Sequence, residues 1–108
     1  MNSVQVMGNL ARDPVIRATK TGRAVASFTV AVNRNYTTPQ GEQKELTDWI
    51  NVVAWGNLAE SVGNQLKKGM RVFVEGRLST RSYDTPEGQR RWVTEVVANF
   101  VALPLGNA

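Results

Sequence analysis

Trp49 and Trp55, six residues apart, are the side chains in this chain whose type and spacing point most directly to a chemical role, and that role is stacking rather than catalysis. Side chains on a pleated strand repeat every second residue, so both indoles would point to the same side. Tyr36 lies close to Arg34, and Tyr83 follows Arg77 and Arg81, which places further rings beside cations. Rings exposed on a sheet, accompanied by cations, are what a single-stranded nucleic acid needs: bases lie on the π faces and guanidinium groups meet the phosphates. Stacking contributes about 1–3 kcal/mol per base and ignores base identity, which implies broad sequence tolerance.

Groups able to do covalent or acid–base work are scarce. The sequence has no cysteine and no histidine, which removes disulfides, thiolate nucleophiles, imidazole bases and zinc sites of the Cys/His kind. The nine carboxylates are scattered, and Asp48, Glu75 and Glu95 fall in or beside strands, where pairing with arginines is the natural role. No phosphate-cradling glycine loop and no metal-ligand spacing occurs, so no catalytic residue, metal or cofactor is expected and the chain does not read as an enzyme. Of thirteen basic residues nine are arginine, and the net charge of +4 with a pI near 10.0 favours a polyanionic partner. The N-terminus lacks the basic and apolar regions of a leader, and no run reaches the roughly 18 apolar residues of a membrane span, so a cytoplasmic protein with no membrane partner is expected.

The elements that must position these residues can be read in the same way. A chain of 108 residues holds one core, so residues 1–108 are expected to form one domain. Residues 47–69, TDWINVVAWGNLAESVGNQLKKG, join the strongest strand pattern to the one convincing helix. Ile50, Val52 and Ala54 alternate with Trp49, Asn51, Val53 and Trp55; the first set predicts a core face. Asn57 then suits a helix N-cap, with Glu60 completing a capping box and Leu58, Val62 and Leu66 on one face. Lys67, Lys68 and Gly69 suit the helix C-terminus.

Before this stretch, Val4, Val6, Gly8 and Leu10 alternate in a first strand, with Gly8 at a bend or close backbone approach. Residues 15–19 read as an edge strand turned at Thr21-Gly22, and alternation resumes from Ala24 to Val32. Residues 34–46 have no sustained apolar period and predict a long loop. After the helix, a fourth strand carries Val72, Val74, Gly76 and Leu78 on one face and Arg77, Arg81 and Tyr83 on the other. A turn cluster at residues 84–88 leads into a fifth strand, in which Trp92 and Phe100 are expected in the core together with Phe28 and Phe73. Arg12, Arg17, Arg23, Arg90 and Arg91 read as solvated surface. The predicted fold is all-β: five antiparallel strands with one α-helix between strands 3 and 4, the layout of the OB-fold, a partly open Greek-key barrel.

The segments VMGNLARDPVIR, AVASFTVAVNR, TDWINVVAWGNLAESVGNQLKKG, VEGRLSTRSY and TEVVANFVALP closely resemble the DNA-binding core of bacterial single-stranded DNA-binding proteins. The resemblance runs over residues 4–103. It implies an OB-fold subunit, usually a homotetramer without cofactor, that holds single-stranded DNA during replication, recombination and repair in the cytoplasm, at the nucleoid. By position it places stacking aromatics at Trp49, Trp55, Tyr83 and Tyr36, and basic residues along the same surface at Arg34, Arg77 and Arg81. Apolar residues of the first and third strands, Val4, Val6, Met7 and Ile50, are expected to form the subunit interface, because they offer more apolar surface than one small barrel covers. The family usually continues into a flexible region with an acidic tip that recruits replication and repair proteins; this sequence ends at LPLGNA, so such partners are expected only through a tail. A plasmid or primosome accessory barrel would be expected to lose some of these aromatics. An RNA-binding barrel of cold-shock type would place its aromatics on the early strands.

Overall fold

The valine-rich alternating segments form strands because β-branched residues fit a pleated, half-buried surface. The computed structural model describes residues 1–106. It contains β1 (Val4–Leu10), β2 (Val15–Ala18), β3 (Ala24–Thr37), β4 (Gln43–Trp55), α1 (Gly56–Gln65), β5 (Arg71–Asp84) and β6 (Arg90–Ala102). Hydrogen bonding runs β1–β5–β6–β4–β3 and returns from β3 to β1, closing a five-stranded barrel, while β2 lies along the N-terminal end of β3. This is the OB-fold. Apart from β2, the helix lies between the third and fourth barrel strands, as the sequence predicts. One pairing departs from the antiparallel expectation: β4 and β6 are parallel, with Val52 opposite Val96 and Val53 opposite Val97.

Inward residues of all five barrel strands make the core, and α1 closes one end with Ala59 and Val62, joined by Leu66 just past its last turn. Gly8 provides the predicted close approach, since a Cβ there would fall on the Ala31 carbonyl oxygen. The helix begins two residues earlier than its cap signal predicts. Gly56, at φ +63°, makes the turn out of β4, so Trp55 occupies the N-cap without a side-chain hydrogen bond and the box of Asn57 and Glu60 is not formed. Helix α1 also stops at Gln65, leaving Lys67, Lys68 and Gly69 in the following turn, where the Lys68 amide donates to Asp13 Oδ1.

The predicted loop at residues 34–46 is mostly strand. β3 and β4 stay paired from Asn33 opposite Thr47 out to Thr37 opposite Gln43, and only residues 38–42 turn. This ribbon stands clear of the barrel, so both its faces meet water and apolar alternation has no core to record. The β5–β6 hairpin extends likewise, giving extents of 54 × 42 × 29 Å and a Cα radius of gyration of 16.1 Å, against about 13 Å for a compact chain of this length. Three hairpin turns share one device. In 19–23, 38–42 and 85–89 a threonine amide donates to the carbonyl four residues on, its hydroxyl accepts from that residue's amide, and a glycine follows at positive φ.

Three aromatics expected in the core face outward: Trp92, Phe100 and the half-buried Phe73, which stands between the inward Val72 and Val74 of β5. Trp92 shares a pleat face with Val96 and Ala98, but it lies beyond the barrel end, where no second layer covers it, and is 69% exposed. Phe100 is turned outward by a bulge: Glu75 faces Phe100 whereas Gly76 faces Ala98, so Asn99 is an extra residue and the alternation reverses. Phe100 is 55% exposed and meets half-buried Phe73 edge to face, with ring centroids 6.3 Å apart; Phe28 alone of the four is fully buried.

Candidate nucleic-acid interface

β4 positions the centre of the site. Ile50, Val52 and Ala54 turn toward the core as predicted, which leaves Trp49, Asn51, Val53 and Trp55 on the outer surface. The three pleat repeats from Trp49 to Trp55 span about 20 Å of strand. Trp49 is 63% exposed, whereas Trp55 is half-buried at the β4–α1 junction. On one flank, β6 presents Val93, Glu95 and Val97, and β5 beyond it presents Arg77, Ser79, Arg81 and Tyr83. On the other flank lie Val25, Ser27 and Thr29 of β3 with Val15 and Arg17 of β2. Five strands thus form one outward surface on which Trp49, Trp55 and Tyr83 are brought together.

Tyr36 is not on that face. It stands opposite Lys44 in an unbroken register in which Trp49 stands opposite Ala31, so Tyr36 and Arg34 lie on the other side of the pleat from the tryptophans. Both occupy the projecting ribbon, where Tyr36 is exposed.

The three arginines singled out from sequence differ in their availability. Arg34 Nε donates to Asp48 Oδ2 at 3.0 Å, and Arg81 Nε donates to Glu95 Oε1 at 3.0 Å. The Glu95 side chain is only 10% exposed and the Arg81 side chain 58%, so this guanidinium neutralises a sheltered carboxylate in the middle of the surface. Cations already held by carboxylates release fewer counterions from a polyanion than free ones do. Arg77 has no ion-pair partner among the described residues and lines a groove with Trp55, Arg23 and Asn99.

Three arginines that the sequence reading left on the general surface belong to this face. Arg23 places Cζ 4.7 Å from the Trp55 ring centroid. Arg12 lines a depression with Trp49 and Asn51, and Arg17 stands opposite Val25, itself opposite Trp55. Their signal was the short β2, which carries Arg17 and whose turn back to β3 carries Arg23; only the register shows that it ends beside Trp55. Asn51 is held by the Thr29 hydroxyl, which donates to its Oδ1 at 3.2 Å.

The predicted interface residues separate in a similar way. Val4, Val6 and Ile50 are half-buried against the barrel core and are not a free apolar surface. Met7, 45% exposed and opposite Phe73 on β5, remains outside with Phe73 and Phe100, because the strand alternation places it on the outer face. The β1 edge that does not face β5 pairs with β3 only at Asn9 and Leu10, so its N-terminal half is an open strand edge.

Comparison with known proteins gives a consistent picture. A family model described as single-strand binding protein family matches residues 1–104. A single-stranded DNA-binding protein of Halalkalibacterium halodurans is 52% identical over 101 residues, covering 94% of this chain and 59% of that protein. Single-stranded DNA-binding protein A of Bacillus subtilis is 50% identical over 101 residues, covering 94% of this chain and 58% of its own. The solved structure described as Plasmodium falciparum SSB complex with ssDNA superposes with a TM-score of 0.85 at 31% identity, covering 95% of this chain and 92% of that one. The chain therefore spans about six-tenths of the length of these two bacterial relatives.

Proposed function

The chain belongs to the single-strand binding protein family, and from that premise we propose that it binds single-stranded DNA irrespective of sequence and protects it during replication, recombination and repair. The observation that carries this reading is the outward row of Trp49 and Trp55 beside the free guanidinium groups of Arg77 and Arg23. Bases stack on Trp49, Trp55 and Tyr83, and the strand can extend onto the β3–β4 ribbon at Tyr36. Arg77 meets phosphate; Arg34 and Arg81 add less, because each is bound to a carboxylate. Nothing in this mechanism needs a reacting group, a metal or a cofactor. The place of action is the cytoplasm, and no helix among the described residues is long and apolar enough to cross a membrane.

The working form is a homo-oligomer, a tetramer by family. The open edge of β1 offers backbone hydrogen bonds to a second copy, and the outward Met7, Phe73 and Phe100 offer apolar area beside it. The deciding experiment measures anisotropy of labelled oligo-dT and of the matching duplex across a salt series. Tight binding of the single strand, weakening with salt, is expected; equal affinity for the duplex would refute the reading. Arg77→Ala should reduce the slope of log affinity against log salt by a fraction of about 0.7, the value for one phosphate on a single strand.

A further inference from the structure

We propose that Arg23 is a two-position element of the Trp55 subsite, resting on the indole when the groove is empty and moving to a DNA phosphate when a base takes its place. The inference deepens the single-strand-binding reading and rests on it. Arg23 Cζ stands 4.7 Å from the Trp55 ring centroid, inside the distance at which a guanidinium is attracted to an aromatic face. A base inserted between them would need a stacking spacing on each of its own faces, about twice the carbon–carbon contact distance of roughly 3.5 Å, so 4.7 Å leaves no room for it. Trp55 is already half-buried, and the guanidinium takes up part of the ring that remains. Stacking on that face therefore requires Arg23 to leave.

The fold allows the side chain to move while its backbone stays fixed. Arg23 ends the β2–β3 turn, where its carbonyl accepts from the Thr19 amide at 2.9 Å and its amide donates to Thr19 Oγ1 at 3.1 Å. The residue is exposed, and no carboxylate forms an ion pair with it among the described residues. The groove it overlooks also holds Arg77, again unpaired, and the amide-bearing side chain of Asn99. A nucleotide entering this groove brings an anion to two free guanidinium groups at the moment its base displaces one of them from the ring. Arg23 thus opposes stacking and favours the phosphate, and salt decides the balance, because phosphate contacts are screened strongly.

Arg23→Ala tests this against the parent in oligo-dT titrations over a salt series, with thermal melting to confirm that the exposed substitution leaves the fold intact. The slope of log affinity against log salt should lose about 0.7 of its magnitude, one phosphate on a single strand. At low salt the variant should bind more weakly. At high salt it should match or exceed the parent by up to about two- to fivefold, the factor by which an exposed cation–π contact holds the ring closed. In chains carrying Trp49→Phe and Trp92→Phe, Arg23→Ala should also make Trp55 emission more open to acrylamide before DNA is added. An unchanged slope would overturn the proposal, and so would a slope lowered by about 0.7 with the variant still binding more weakly than the parent at the highest salt, which would make Arg23 a simple phosphate contact. Both outcomes leave the broader reading standing, whereas a parent that ignored oligo-dT would remove both.

Discussion

Trp49 and Trp55 occupy the same pleat face of one strand but differ in burial, and that difference separates a role in binding from a role in folding. Trp49 is 63% exposed, and Trp49→Ala removes little packing; surface changes of this kind stay within about 0.5 kcal/mol. A shift of 1 kcal/mol moves the midpoint of a domain of this size by about 4–8 °C, so melting of this variant should fall by less than about 4 °C. Its affinity should fall by the worth of one stacked base, about 1–3 kcal/mol, or about 5- to 150-fold in Kd. Trp55 is half-buried with Arg23 on its ring. Full truncation of a buried aromatic costs about 3–5 kcal/mol. Half of that, with about 0.5–1 kcal/mol for the cation–π contact, gives a loss of about 2–3.5 kcal/mol. Trp55→Ala should then melt about 10–20 °C lower as well as bind weakly. Circular dichroism melts and oligo-dT anisotropy on both variants check this. If Trp49→Ala melted as low as Trp55→Ala, or bound like the parent, the DNA would have been placed on the wrong surface.

Three further outcomes follow from the packing and the charges. Gly8→Ala sets a Cβ on the Ala31 carbonyl and against Val30, so β1 must part from β3; overpacking of about 1–3 kcal/mol should lower the melting midpoint clearly, and unchanged melting would contradict the close approach. Glu95→Gln releases Arg81 from its carboxylate and should steepen the salt slope for oligo-dT by up to about 0.7 with tighter binding at low salt; a weaker complex with the same slope would show that the pair only positions Arg81. Met7→Glu combined with Phe100→Glu places charge on the outward apolar patch and should lower the mass by light scattering, while an unchanged assembly would move the subunit contact elsewhere.

How much the sequence disclosed depended on whether a residue had a core to report. Residues 50–54 alternate against the barrel interior, so the faces of β4 and the side of each tryptophan were legible. Residues 34–37 and 43–46 pair just as regularly, but outside the barrel both faces are wet and the pattern reads as a loop. Gly56 hid the helix start, because a left-handed glycine turns the chain so that the N-cap falls at Trp55, two residues before Asn57. Phe100 was misplaced for a topological reason: one extra residue at Asn99 reverses the alternation, and nothing in VANFVA marks the bulge except its partner Gly76, where a Cβ would strike the Val97 carbonyl. Arg81 is legible as a strand cation, whereas Arg34 falls in the predicted loop and stands in β3 instead; only the cross-strand register reveals that Asp48 and Glu95 already hold them.

The charge arrangement bears on why the rings, rather than the arginines, would set the preference for single strands. Among the described residues four of the thirteen basic side chains are bound to carboxylates, and Lys67, Lys68 and Arg71 lie in or next to the turn between α1 and β5. Around the tryptophans this leaves mainly Arg12, Arg17, Arg23 and Arg77. Such a set gains from any polyanion, and it gains more from a duplex, because B-DNA releases about 0.9 counterion per phosphate against about 0.7 for a single strand. Electrostatics alone would therefore favour the wrong partner. A duplex, however, has its base faces already stacked on one another and offers none to an indole, whereas a single strand can place bases on Trp49, Trp55 and Tyr83 at about 1–3 kcal/mol each. That contribution exceeds the difference in counterion release and is available only to unpaired bases. In this reading the arginines set the salt dependence and the rate of encounter, and selectivity for the single strand resides in the three rings that β4 and β5 hold outward.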